Sequence, residues 1–523
     1  PIIEGKFIGK ITFAHTETDG DNTKAHTGRD QAPLESDFYN ARLIWQATER
    51  LEFDLSLSKD DNDGIAYAFS QTTDLNDPNE NYLVRDDSSA GQDNEDVTLT
   101  TIWSGDNFEI LNRISYRDSL THLDVEADVT VYDAYFAIIR TDGEQWGEEL
   151  RIQSAGDGPF RWMFGGEYID GEADALFDTY LLESDQIALA SWGCTECVLP
   201  QTFGFPAETF VELFYPDISS NTIESESTNW SVFGEVSYLF FDRLEATFSI
   251  RYDDIEKSVF NFGAGLAGSG GLGLDFEDDA WQPLFSLRYS IDDFTSVYAS
   301  AAKGIREGGF NSSALTKDYA TFETDEVWSY EIGLKKVFPE SGAYLNIAAF
   351  YMDAEVLNQA AIIVTDAGSL ANGAITMGGA DSYGMEMEFG MPLGGGINWD
   401  MNLGILDCTL KDVPDYADRS PDFQQVSPGV QDGNTCQDSS EWTFFTSLDG
   451  RWALGGSGWY TTAAVSLSAK GDTRMTSDAG TPGRTFPFLP STPEEVAQRD
   501  IREDQSIRDP MFLINASAGL QND

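Results

Sequence analysis

Polar and apolar residues alternate with a period of two through stretches of this chain that are too long for an ordinary soluble sheet. Over 244–253, Leu244, Ala246, Phe248, Ile250 and Tyr252 fall on one side of an extended strand, with Glu245, Thr247, Ser249, Arg251 and Asp253 on the other. Segment 228–239 sets Trp230, Val232, Val236 and Tyr238 against Ser231, Glu235 and Ser237. Segment 382–391 sets Tyr383, Met385, Met387, Phe389 and Met391 against Ser382, Gly384, Glu386, Glu388 and Gly390. In 397–405, Ile397, Trp399, Met401, Leu403 and Ile405 oppose Asn398, Asp400, Asn402 and Gly404. One face is greasy and aromatic, and the other is polar. A half-solvated soluble sheet alternates too, so length decides. The runs extend over about 10 to 13 residues, against roughly 5 or 6 in soluble sheets, and match a tilted membrane strand.

The connections between runs alternate in length as well. Tight turns are expected near 47–49, 104–105, 156–158, 240–242, 292–293, 338–341, 392–395 and 454–457. Long loops are expected near 15–37, 60–95, 118–144, 172–227, 256–280, 304–325, 353–380, 409–440 and 470–509. Short turns at one end and long loops at the other define a membrane barrel. Nine loops and eight turns delimit about 18 strands in an all-β chain. The expected fold is one large antiparallel transmembrane β-barrel over 1–523 with long extracellular loops, and its first strand, near 5–14, runs from the turn side to the loop side. The segment 493–504 has the composition of a short helix within a loop.

Composition narrows the function classes. No apolar run reaches the roughly 18 residues of a membrane helix, which leaves membrane strands untouched. The 90 acidic and 31 basic residues give a formal net charge of -59, and a chain of that sign lacks the basic footprint that nucleic acid demands. It suits divalent cations or cationic ligands, and equally a simply solvated surface. Aromatics at 13% separate it from acidic disordered chains. The sequence opens at Pro1 without a signal peptide, so any export signal is expected upstream.

Candidate chemistry is sparse. Cys194 and Cys197 form a lone C-x-x-C without a second pair or nearby His, which disfavours zinc. With Cys408 and Cys436 they are expected to form two loop disulfides in an oxidising compartment, with the pairing open. Only His15, His26 and His122 are available, too few for a His-based metal site or a catalytic triad. No catalytic residue, metal or cofactor is assigned, and the chain is not expected to be an enzyme. Gly263, Gly265 and Gly268 formally match a phosphate-binding glycine pattern, but the surrounding glycines mark a flexible loop. KDDNDG at 59–64 resembles a calcium loop with Lys59 in the first ligand position, so a solvated acidic loop tip is the better reading, with weak calcium binding as the alternative. Loop 172–227 gathers Trp192, Phe203, Phe205, Phe210, Phe214 and Tyr215, either a platform for ligand capture or packing within the loop. Glu235, Glu245, Arg251, Asp253, Glu331, Lys335, Glu386 and Glu388 are expected to line the lumen.

Several segments resemble the TonB-dependent receptors of the outer membrane. SVYASAAKGIREGGFN at 296–311 is similar to a strand and glycine-rich segment of that family, and FETDEVWSYEIGLKKVF at 322–338 and LNIAAFYMDAEVLNQ at 345–359 resemble its next two strands. Weaker matches cover 148–168 and 230–257. The resemblance implies a 22-stranded barrel with a plug in its lumen, of which the plug and four strands are expected outside this chain. An open sheet would leave unpaired edges in lipid. It also implies the outer membrane of a Gram-negative bacterium, contact with lipid and lipopolysaccharide, a periplasmic energy-coupling protein, and import of a small-molecule or chelate ligand, most typically a ferric siderophore. The Phe-Arg-Ala-Pro box of haem-uptake relatives is not found. Within the resemblance, Gly304, Gly308, Gly309, Phe310 and Asn311 imply a structural turn where a strand leaves the membrane. A surface receptor holding a partner protein, and a passive porin, are the competing readings.

Overall fold

The computed structural model describes the chain apart from residues 1–2, 4, 20–21, 24–29, 32–33, 65–88, 127–134, 157, 182–219, 264–270, 365, 367–369, 415–429, 457, 475–506 and 523. Eighteen long strands build one sheet. They are β1 (Phe7–Thr18), β2 (Leu34–Thr48), β3 (Leu51–Gly64), β4 (Ser89–Ser104), β5 (Phe108–Glu126), β6 (Tyr135–Ser154), β7 (Phe160–Leu181), β8 (Ser220–Phe240) and β9 (Leu244–Asn261). The series continues with β10 (Leu272–Asp292), β11 (Thr295–Arg306), β12 (Asp325–Phe338), β13 (Ala343–Ala354), β14 (Gly379–Gly394), β15 (Ile397–Lys411), β16 (Trp442–Ala453), β17 (Trp459–Lys470) and β18 (Met511–Asn522). Each pairs antiparallel with its chain neighbours, in unbroken series from β1–β2 to β17–β18. Among the described residues, β1 pairs only with β2 and β18 only with β17.

Register carries the alternation around the wall. Tyr116 faces Trp146 across β5–β6 with ring centroids 4.7 Å apart, and Tyr252 faces Trp281 across β9–β10 at the same spacing. Tyr168 is the register partner of Trp230, whose ring lies 5.4 Å from that of Tyr252 on the next strand, and Tyr330, Tyr351 and Tyr383 are successive partners. These rings form an upper girdle on the outer surface. A lower one near the tight turns includes Phe7, Trp45 and Phe53, with centroids 5.9 and 5.3 Å apart. Between the girdles the outer face is apolar and bare: Ile332 is 63% exposed and Phe285 49%. No second sheet covers them among the described residues. Side chains of this kind, exposed on one continuous surface between two aromatic belts, face hydrocarbon.

The strands are longer than the alternation alone indicated. β7 has 22 residues, β8 and β10 have 21 each, and β6 has 20. At roughly 3.3 Å per residue a 21-residue strand runs about 70 Å, far beyond a tilted crossing of a band about 25 Å tall. Residues 118–126, 135–144, 172–181 and 220–227, which read as loop, are therefore protruding sheet. KDDNDG lies not at a loop tip but in β3, paired with β4. Polar alternation at these strand ends hid them, because the outward face there carries acids instead of apolar residues. The helix expected at 493–504 falls outside the described residues.

Facing predicts the response to charge. Ile332→Arg, at mid-belt on the outer face, is expected to destabilise the barrel by about 2–4 kcal/mol. Asn346→Arg, on the lumen face beside Glu388, is expected to stay within about 1 kcal/mol of the parent. Reversible denaturant unfolding from lipid vesicles reads both values.

Candidate functional site

The inner face places polar side chains opposite one another because register partners share a face. On β7, β9 and β10 this produces a linked cluster. Arg251 reaches Glu167 at 2.9 Å and Asp253 at 2.8 Å, and Gln282 donates to Asp253 at 2.6 Å. Nearer the tight turns, Arg161 and Arg288 both pair with Glu245. Toward β2 the pattern continues with Arg117 on Asp96 at 2.6 Å and Arg42 on Asp54. Beyond β10, on β11 to β14, Tyr298 donates to Glu331, Lys335 stands 5.6 Å over the Tyr298 ring, and Asn346 donates to Glu388 at 3.0 Å. Register puts Glu235 and Glu386 on the same inner face. Strand parity sufficed to find these residues, and tertiary structure supplied the partners.

A cavity of about 330 Å³ opens on this face between β4 and β7, lined by Asp96, Arg113, Ser115, Arg117, Gln145 and Glu149 among others. The side chains of Arg113 and Arg117 are half exposed there. The surface is polar, hydrated and mixed in sign. It can hold or guide a polar solute or a protein surface, and it shows no nucleophile–base arrangement.

The extracellular rim holds the one dry core among the described residues. The loop 307–324, the loop 355–378 and the end of β15 with 430–441 converge there. Ile363 is 0% exposed, Ile375 1% and Leu410 2%, packed with Ala314, Tyr319 and Val430. Cys408 and Cys436 form a disulfide at its margin. Asn311 donates to the carbonyls of Tyr319 (2.6 Å) and Ala374 (2.7 Å) and accepts from the Ala374 amide (2.9 Å). Asn358 accepts from Thr376 at 2.7 Å and donates to the Glu323 carbonyl, while its amide donates to Asp325 at 2.8 Å. The glycine segment is structural through close approach instead of a left-handed turn: a Cβ on Gly308 would stand 2.6 Å from both the Phe276 ring and the Phe322 carbonyl. A Cβ on Gly304 would meet only Val327, at 3.8 Å, so that position has room.

The outer surface above the upper girdle carries a feature not anticipated. Asp118, Glu144, Glu172 and Glu226 are successive register partners across β5–β8, and Asp142, Asp174 and Glu224 form a second row. Asp254 faces Asp279, and Glu256 faces Glu277, across β9–β10. Like charges placed opposite each other destabilise a sheet. On the same face Lys59 bridges Asp93 and Glu95 at 3.0 and 3.1 Å. The signal was legible as carboxylates two residues apart, in E172-A-D174, E224-S-E226 and D275-F-E277. At the margin of this band, His15 lies 2.9 Å from Asp37, and with Glu35 their donor atoms fall within 4.8 Å of one another. A hydrogen-bonded, exposed His–Asp pair accounts for that grouping. Trp192, Phe203, Phe205, Phe210, Phe214 and Tyr215, with Cys194 and Cys197, lie outside the described residues, as do His26 and most of the 263–268 glycine loop.

An antiparallel wall with a bare aromatic-bounded belt, a hydrated inner face and a folded extracellular rim defines an outer-membrane β-barrel of the transporter class. The family model "TonB dependent receptor-like, beta-barrel" matches residues 12–519. This chain therefore belongs to the TonB-dependent receptors, transporters of the Gram-negative outer membrane and not enzymes. Among solved structures it resembles the ferric yersiniabactin uptake receptor FyuA of Yersinia pestis, with a TM-score of 0.75 at 15% identity over 100% of this chain and 69% of that one. It also resembles the siderophore receptor PiuA of Acinetobacter baumannii, with a TM-score of 0.70 at 13% identity over 98% of this chain and 71% of that one. The copper transporter OprC gives a TM-score of 0.66 at 12% identity, over 98% and 67% of the two chains. At these identities the likeness is one of fold.

The inner-wall cluster makes its own prediction. Asp253 has a side chain only 4% exposed, while that of Arg251 is 34% exposed. Arg251→Ala leaves a buried carboxylate without its cation and is expected to cost about 1–3 kcal/mol, discounted for the solvent reaching the guanidinium. The double substitution with Asp253→Asn should recover part of that loss, measured by the same vesicle unfolding as a double-mutant cycle.

Proposed function

We propose that this barrel imports a scarce metal chelate, such as a ferric siderophore, through a lumen filled by a plug domain and energised by a periplasmic coupling protein. The sheet edges carry the reading. Eighteen strands in unbroken series leave β1 and β18 each with an unpaired side among the described residues, and hydrocarbon does not tolerate unpaired backbone. A wall that needs more than 18 strands to close belongs to the size class in which the lumen is plugged, above the roughly 16–18 strands of open porins. Further strands between β18 and β1, and the plug, would belong to the whole receptor. The cargo class is suggested by FyuA, PiuA and OprC, whose names concern ferric yersiniabactin, siderophores and copper.

The test uses cells expressing the whole receptor, with a panel of radiolabelled ferric hydroxamate, catecholate and citrate chelates. Accumulation of one class that vanishes when the inner-membrane coupling complex is deleted is the expected outcome. Uptake unaffected by that deletion, with solute-induced swelling of liposomes holding the same protein, would mean a passive pore instead.

The same reading assigns the outward acidic rows to the headgroup layer, because they begin directly above the upper girdle. Facing carboxylates there would be relieved by divalent cations shared with anionic headgroups, lipopolysaccharide included. In vesicles with anionic lipid, calcium should raise the unfolding midpoint and a chelator should lower it. The combined substitution Glu172→Gln, Asp174→Asn, Glu224→Gln and Glu226→Gln should flatten that dependence.

A further inference from the structure

The rim core joins three segments that are distant in sequence and emerge from different strand pairs. Ala314 and Tyr319 come from the loop between β11 and β12; Ile363, Ile375 and Met377 come from the loop between β13 and β14; Val430 and Cys436 come from the loop between β15 and β16. None of the three could bury these side chains alone. The 358–364 and 370–376 strands form a two-stranded hairpin, and such a hairpin is marginal in water unless something covers one face. Here Asn311 of the first loop binds its backbone at Ala374, and Val430 and Cys436 of the third pack against its apolar face.

The assembly is also tied to the barrel wall. Lys257 on β9 donates to the Gly308 carbonyl at 2.9 Å and pairs with Glu307 at 2.8 Å. Asn261 donates to the Ser312 carbonyl at 3.0 Å, and the Phe310 ring packs edge-on against Phe276 of β10. The disulfide fastens the third loop to β15. All four wall side chains lie on the inner face, so the first loop runs inside the lumen mouth.

The geometry points to one cooperative body: the described parts of these three loops (307–324, 355–364 with 370–378, and 430–441) form a fixed shelf over one side of the lumen mouth, opening and losing order together and not as three independent flaps. A segment's local stability follows the buried contacts that its opening breaks, and opening any one of these loops breaks the core of the other two. Solute capture that depends on loop movement would then draw on other parts of the rim, with this shelf as a preformed surface. The inference rests on packing alone and stands or falls independently of the cargo.

Hydrogen–deuterium exchange on the intact protein in lipid nanodiscs tests it. Peptides covering 309–324, 357–364 and 370–377, and 430–441 should show protection in the parent. Ile363→Ala should speed exchange about tenfold or more in all three sets, since the cavity lies in their shared core, while strand peptides of 345–352 stay unchanged. Cys408→Ser with Cys436→Ser should produce the same joint loss of protection from the opposite margin. Should Ile363→Ala fail to give a heat-modifiable barrel, the disulfide variant and the reduced parent supply the reading. Acceleration confined to the segment that carries the change, or three unprotected loops in the parent, would overturn the inference.

Discussion

Hydrocarbon offers no hydrogen-bond partner, so every peptide group that crosses it has to be satisfied by another strand of the protein. The continuous antiparallel ladder of β1 to β18 is the consequence, and it fixes almost everything else. Once the ladder is set, the period of two sends alternate side chains to opposite media. Met385, Met387 and Phe389 are turned to lipid by the same geometry that turns Glu386 and Glu388 to the lumen. No dry interior is needed for the wall itself. Its stability is that of paired backbone between apolar solvent and water.

The polar inner face follows a different logic. Charges there are hydrated but close, so each interaction is modest, and together they hold side chains in fixed places. The Arg251–Glu167–Asp253 group and the Arg161–Glu245–Arg288 group link strands that are not adjacent in the sheet order, bracing the wall across β7, β9 and β10. Such a wall is suited to hold a surface or solute of mixed charge. The outer acidic rows work under the opposite constraint, since there carboxylate stands opposite carboxylate across neighbouring strands.

Among the described residues, only the rim behaves like a soluble domain, with close packing, buried amides and a disulfide. This is where the membrane no longer supplies an apolar medium and side chains must find one in each other. Small loops cannot do so separately. Their convergence makes the mouth of the barrel the most specifically packed region among the described residues.

The sequence by itself determined the wall. Alternation in segments such as 244–253 and 382–391, with short and long connections in turn, fixed the strand number, the inward and outward sets, and the tight turns, because each depends only on local periodicity. It placed Arg251 and Asp253 in the lumen without revealing Glu167 and Gln282 as their partners, which are 84 and 29 residues away along the chain. Strand ends such as Glu172 and Asp174 read as loop, since acids outside the membrane carry no apolar alternation. The tertiary structure alone decided the register that aligns those acids, the close approach that requires glycine at 308, and the meeting of Ile363, Leu410 and Val430 at the rim. Those features depend on which distant segments share a neighbourhood, and a local period of two contains no information about that.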